Sequence, residues 1–145
     1  MRQRILVVLV VVAVVVGGFV ILRGGGGGGS SDAVQVRATL AAYTQASAAQ
    51  DYAGICRRFL APRLLDKLRQ IRIPCRTALK RGLGSVHMPT LLVNGVKVTG
   101  TTALAQVVAG AANQKPLAGT IELIKVDGLW RVLSLAEQQQ KTPAP

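Results

Sequence analysis

Apolar positions recur along this chain in three rhythms, each predicting a different kind of element. Residues 5–22, ILVVLVVVAVVVGGFVIL, form an unbroken apolar run of 18 residues with no charge. At about 1.5 Å of rise per helical residue the run extends roughly 27 Å, close to the ~30 Å of a bilayer's hydrocarbon core. It exceeds the apolar stretch of about 7–15 residues in a signal peptide and has no small-residue cleavage site. It therefore predicts a transmembrane helix that stays attached. Arg2 and Arg4 precede the run, and this flanking bias places residues 1–4 in the cytoplasm and everything after the span outside it. Residues 23–31, which contain GGGGGGSS, predict a flexible linker with a reach of roughly 15 Å.

The second rhythm is helical. Over 32–50, Val36, Leu40, Tyr43 and Ser47 recur at helical spacing and mark one buried stripe. Asp32 is the expected N-cap, with Gln35 three residues later as its capping-box partner. Asp51 begins a second cap, before the short helix DYAGICRRFL. Pro62 suits the first turn of a third helix, with Leu64, Leu65 and Leu68 on one side. Pro74 starts a brief fourth, expected to end near Gly82.

After His87 the pattern alternates. Residues 90–93, 96–99 and 102–108 are β-prone stretches separated by Asn94-Gly95 and by Gly100. Residues 120–126 and 129–135 follow, joined by Asp127-Gly128, a two-residue hairpin signal. Trp130 reads as a core anchor against the preceding strand. The tail, 136–145, predicts disorder. Helices followed by consecutive antiparallel strands make residues 32–135 one α+β domain.

Charge narrows the partners. The chain carries a formal net charge of +12, and fifteen basic and six acidic residues follow Arg23. In a cytoplasmic protein such a balance would suggest nucleic acid, but outside the membrane the available polyanions are lipid headgroups and envelope polymers. Nucleic acid is therefore not expected. The basic residues concentrate in Arg57, Arg58, Arg63, Lys67, Arg69, Arg72, Arg76, Lys80 and Arg81, a candidate surface for anions.

Cys56 and Cys75 are the two cysteines. With the lone His87 they supply at most three soft ligands, fewer than a structural zinc site takes, and their spacing is not that of a redox motif. No metal and no cofactor is expected. Outside the cytoplasm two such cysteines pair with each other, pinning the third helix between the second and the fourth.

One local match leads elsewhere. HMPTLLVNGVKVTG is similar to the proline-containing strand and hairpin of thioredoxin-like oxidoreductases, but it covers about 14 residues, and no C-x-x-C lies upstream. Met88-Pro89 is then a proline opening a strand, and 102–114 is the segment that would be helical on the thioredoxin reading. The order of features along the whole chain instead resembles the nuclear transport factor 2-like superfamily, the ketosteroid isomerase-like cone fold. Residues 41–62, AAYTQASAAQDYAGICRRFLAP, resemble its first two helices and the acidic turn between them. VKVTGTTALAQV resembles its middle hairpin, and IELIKVDGLWRVLSL its terminal hairpin with a tryptophan after the turn.

The resemblance implies helices wrapped by a curved antiparallel sheet, with a pocket at the wide end. It also implies a homodimer, or an envelope-protein partner, formed through the open sheet face. Enzymatic members use a carboxylate inside the cavity and a hydroxyl or acid donor. Here Glu122 is the one acid inside a predicted strand, and Tyr43 is a phenol on the first helix. Asp32, Asp51, Asp66, Asp127 and Glu137 are accounted for as caps, helix surface, turn and tail. No acid–base pair emerges, so the expected function is non-catalytic: a membrane-anchored extracytoplasmic domain that binds an apolar small ligand or a partner. The alternatives are an isomerase- or cyclase-type enzyme using Glu122, and an electrostatic module.

Overall fold

The computed structural model describes residues 28–136. The apolar run at 5–22, the first part of the linker and the tail beyond Ala136 lie outside the described residues. Among those described, no helix is long and apolar enough to cross a membrane. The chain divides into two units after Asp32, and apart from the helical residues 28–32 the fold below is that of the second.

Four helices, α1 (Gly28–Ala48), α2 (Tyr52–Arg58), α3 (Pro62–Gln70) and α4 (Cys75–Leu83), precede four strands, β1 (Thr90–Thr99), β2 (Thr102–Gly110), β3 (Leu117–Val126) and β4 (Leu129–Ala136). The strands form one antiparallel sheet in sequence order. The α+β arrangement expected from the sequence is therefore present.

The apolar stripe of α1 organises the core. Val36 and Leu40 are fully buried, and Tyr43, Ala46 and Ser47 nearly so. They meet Ile55 and Phe59 from the second helical segment and the inward side chains of the sheet, including Ala103, Ala105, Ile121, Leu123, Trp130 and Val132. Burying Leu40 or Ile55 contributes about 1.5–3 kcal/mol each. The Tyr43 ring meets the Phe59 ring edge-on, with centroids 6.2 Å apart.

Helix α1 begins at Gly28, four residues before the expected cap, so Asp32 stands inside the helix and four residues of the expected linker are helical. Glycines are poor helix formers. Once the buried stripe has nucleated a helix, however, each further residue adds a hydrogen bond without a new nucleus. At the second cap the expectation holds: the Asp51 carboxylate accepts from the Gly54 amide at 2.9 Å. A Cβ at Gly54 would stand 2.0 Å from that carboxylate, so the capping geometry requires glycine there. Helix α4 runs one residue beyond Gly82, and Gly84 closes it through its amide to the Lys80 carbonyl at 2.9 Å.

The predicted disulfide is present, joining Cys56 in α2 to Cys75 at the start of α4. It fastens the two ends of a segment in which α3 has no fully buried side chain, so the covalent bond does there what a core does elsewhere.

Asn94-Gly95, expected to separate two strands, instead lies within β1. The register passes from Val93 opposite Val107 to Gly95 opposite Gln106. Asn94 is thus a bulge, the extra residue absorbed without ending the strand. A second irregularity skips Leu133 between Ser134 and Val132. The segment 102–114 contributes strand β2, not a helix. Asp127 and Gly128 both take positive φ, at 52° and 77°, as the two-residue turn between twisted strands requires. At the far edge, residues 59–61 run beside β4: Val132 donates its amide to the Phe59 carbonyl at 2.6 Å, and Ala61 donates to the Val132 carbonyl at 2.8 Å.

Candidate functional site

At the end of the sheet away from the β3–β4 turn, the inward side chains of β2 and β3 include Ala109 and Gly119. Ala109 stands opposite Leu117, and Val107 opposite Gly119. A cavity of about 320 Å³ opens there, at the lower end of the ~300–1,000 Å³ typical of small-molecule sites. Tyr43 and Thr44 of α1, Leu83 of α4 and Leu91 of β1 line it, together with those four residues and Ile121. Two loops border it, one through Val86 and Pro89 and the other through Ala111, Gln114 and Lys115. They are tied together where the Ala112 amide donates to the His87 carbonyl at 2.8 Å. At this rim a Cβ on Gly110 would lie 2.8 Å from the Thr90 hydroxyl, so a larger residue there would turn that side chain away.

The polar residues of the lining are Tyr43, Thr44, Thr90, Gln114, Lys115 and Thr120. Thr44 donates its hydroxyl back to the Leu40 carbonyl at 2.8 Å. Burial pushes the Tyr43 phenol above its usual pKa. The phenol therefore stays protonated at neutral pH. Among the described residues no carboxylate lines the cavity, and Lys115 is the single charged residue in the lining.

Tyr43 thus serves as a core residue and as part of the cavity wall. Glu122 is elsewhere. It stands opposite Leu104, whose side chain is exposed, and opposite Ser134, whose hydroxyl donates to its carboxylate at 3.2 Å. Its neighbours Ile121 and Leu123 are buried, so strand alternation turns Glu122 to the outer face of the sheet. Tyr43 and Glu122 are therefore on opposite sides of the sheet. His87 is exposed in its loop.

The nine clustered cations are all exposed. Arg58 pairs with Asp51 at 2.9 Å and Arg69 with Asp66 at 2.8 Å, both solvent-facing, and such exposed pairs contribute about 0–1 kcal/mol. Arg76 and Lys80, one turn apart on α4, border a shallow groove with Tyr52 and Thr77. The rest spread over α2, α3, α4 and the turn at Arg72. Among the described residues no group of histidine, cysteine and carboxylate side chains is placed to hold a metal ion.

Sequence reasoning did not single out Thr44, Gln114, Lys115 or the small residues Ala109, Gly110 and Gly119. The available signal was the run of small residues on facing strands, which leaves space wherever no helix covers it.

No protein-family profile matches the sequence, and no curated protein is similar to it. Among solved structures, the chain is similar to an NTF2-like protein of unknown function from Shewanella baltica OS155, with 15% sequence identity and a TM-score of 0.48; the match covers 69% of this chain and 86% of that one.

Proposed function

We propose that this chain is a non-catalytic, membrane-anchored member of the nuclear transport factor 2-like superfamily that binds a small apolar ligand. The observation that carries the reading is the cavity's chemistry. Its walls are apolar, its phenol is protonated, and the nearest strand carboxylate, Glu122, faces the other way. General acid–base work needs a proton donor and acceptor within reach of one substrate, and among the described residues the lining offers no such pair. The succession of one long helix, three short helices and an antiparallel meander supports the superfamily assignment.

The test uses the full chain in lipid nanodiscs, with empty discs subtracted, and the neutral fluorophore N-phenyl-1-naphthylamine. Saturable binding at one probe per chain is expected, and it should be abolished by Ala109→Phe in a protein that keeps its melting temperature. Absence of saturable binding, or binding indifferent to that substitution, contradicts the reading.

The anchor at residues 5–22 and an extracytoplasmic domain are part of the same proposal. The Cys56–Cys75 bridge supports them, since disulfides persist in oxidising compartments. Cleavage of the domain by protease added outside intact cells is the expected result, and protection until lysis would refute that topology.

A second reading, contact with an anionic surface, rests on Arg63, Lys67, Arg72, Arg76, Lys80 and Arg81, which make no ion pair among the described residues. Its affinity for anionic vesicles must fall as salt rises, because such charges are screened within about 8–10 Å. Binding insensitive to salt rules it out.

A further inference from the structure

We infer that the cavity is selective for a single-chain carboxylate, with the hydrocarbon tail in the apolar interior and the carboxylate against Lys115; this rests on the cavity being a ligand site. The size of the space sets the tail. A volume of about 320 Å³ is roughly ten times a water molecule's share of liquid volume, enough for a medium-length chain and too small for a two-chain lipid.

The charge sets the head. Among the described residues Lys115 is the one cation in the lining, on the loop that forms the rim. It is exposed, and its side chain has no ion pair or hydrogen bond among the described residues. Among the described residues no carboxylate is paired with it. Asp51 and Asp66 are held by Arg58 and Arg69. Glu122 is on the outer face of the sheet, and Asp127 sits in the hairpin turn at the opposite end of β3. The Gln114 side chain, beside Lys115 in the same rim, supplies an amide donor for the second carboxylate oxygen. A cation at the border of an apolar space attracts an anion more strongly than one in bulk water, because the effective dielectric is lower. The surplus of basic residues following Arg23 adds a long-range field of the same sign.

Decanoate, decanol and decylamine share one tail and differ in head charge, and each displaces the neutral fluorophore from the full chain in nanodiscs. The expected order is decanoate tightest, by about tenfold over decanol, with decylamine weakest. Lys115→Met should remove the decanoate advantage over decanol. Lys115→Glu should reverse the order in favour of decylamine, and both variants alter an exposed loop position whose folding is checked by melting temperature. If the fluorophore binds but decanoate and decanol displace it equally, or if the preference survives Lys115→Met, the carboxylate inference falls and the cavity reading stands. If neither the fluorophore nor any of the three chains binds, both fall.

Discussion

Arg131 reaches from β4 to the C-terminus of α2, where its guanidinium donates to the Arg58 carbonyl at 2.5 Å. The same nitrogen donates to the Arg57 carbonyl at 2.9 Å. Helix C-termini leave carbonyls without intrahelical partners and carry partial negative charge. One strand cation therefore satisfies two of them, beside the point where residues 59–61 pair with Val132. Arg131→Met should lower unfolding free energy by about 1–2 kcal/mol, measured by urea denaturation. It should also speed hydrogen exchange at the Ala61 and Val132 amides. Unchanged exchange at those two amides would show that the contact does not hold the helical layer to the sheet.

The disulfide encloses α3 in a loop of sequence separation 19. Replacing both Cys56 and Cys75 by serine should cost about 3 kcal/mol, the chain-entropy value for a loop of this length. Because α3 has no fully buried side chain, exchange protection should be lost first across 62–83, while β2 and β3 remain protected. Uniform loss across the whole domain would mean the bridge supports the core as a whole.

Tyr43 gives a pH signature. Burial raises its pKa above 10.0, so the folded state disfavours the phenolate more than the unfolded chain does. The corresponding stability is fully present below pH 10 and lost as pH rises through the higher folded value. The difference in stability between wild type and Tyr43→Phe should therefore be flat from pH 7 to about 9 and should then shift against wild type as alkalinity increases. A difference that stays flat to pH 12 would contradict the burial of the hydroxyl.

Glu122→Gln separates the catalytic alternative from the binding reading. The carboxylate accepts from Ser134 on the outer face of the sheet, away from the cavity lining. Fluorophore binding should be unchanged within error, and stability should move by less than about 1 kcal/mol. A loss of cavity binding in this variant would mean that Glu122 acts on the site.

Most of the fold was legible because it follows from short-range rules. The α1 stripe, the Asp51 cap, the prolines opening α3 and α4 and the Asp127-Gly128 turn each have a local cause, and the structure has all of them. Asn94-Gly95 misled because turn chemistry and bulge chemistry use the same residues. Only the register with β2 distinguishes them, and register is a long-range property. Glu122 shows the converse: alternation says that neighbouring residues face opposite ways, but which way is inward depends on the helices that Ile121 and Leu123 meet. The cavity was least legible. It arises from side chains that are small on two strands at once, and no single stretch records that coincidence.

The two lateral margins of the sheet are treated differently. Beside β4, residues 59–61 already occupy the hydrogen-bonding line. Beside β1, where no neighbour stands among the described residues, Arg37 donates to the Val93 carbonyl at 2.7 Å, and the chain kinks at Asn94. A foreign strand seeking to extend the ladder meets a competing guanidinium and a broken repeat, devices that discourage edge-to-edge polymerisation. Both margins are thereby closed to the strand addition that fibre growth requires.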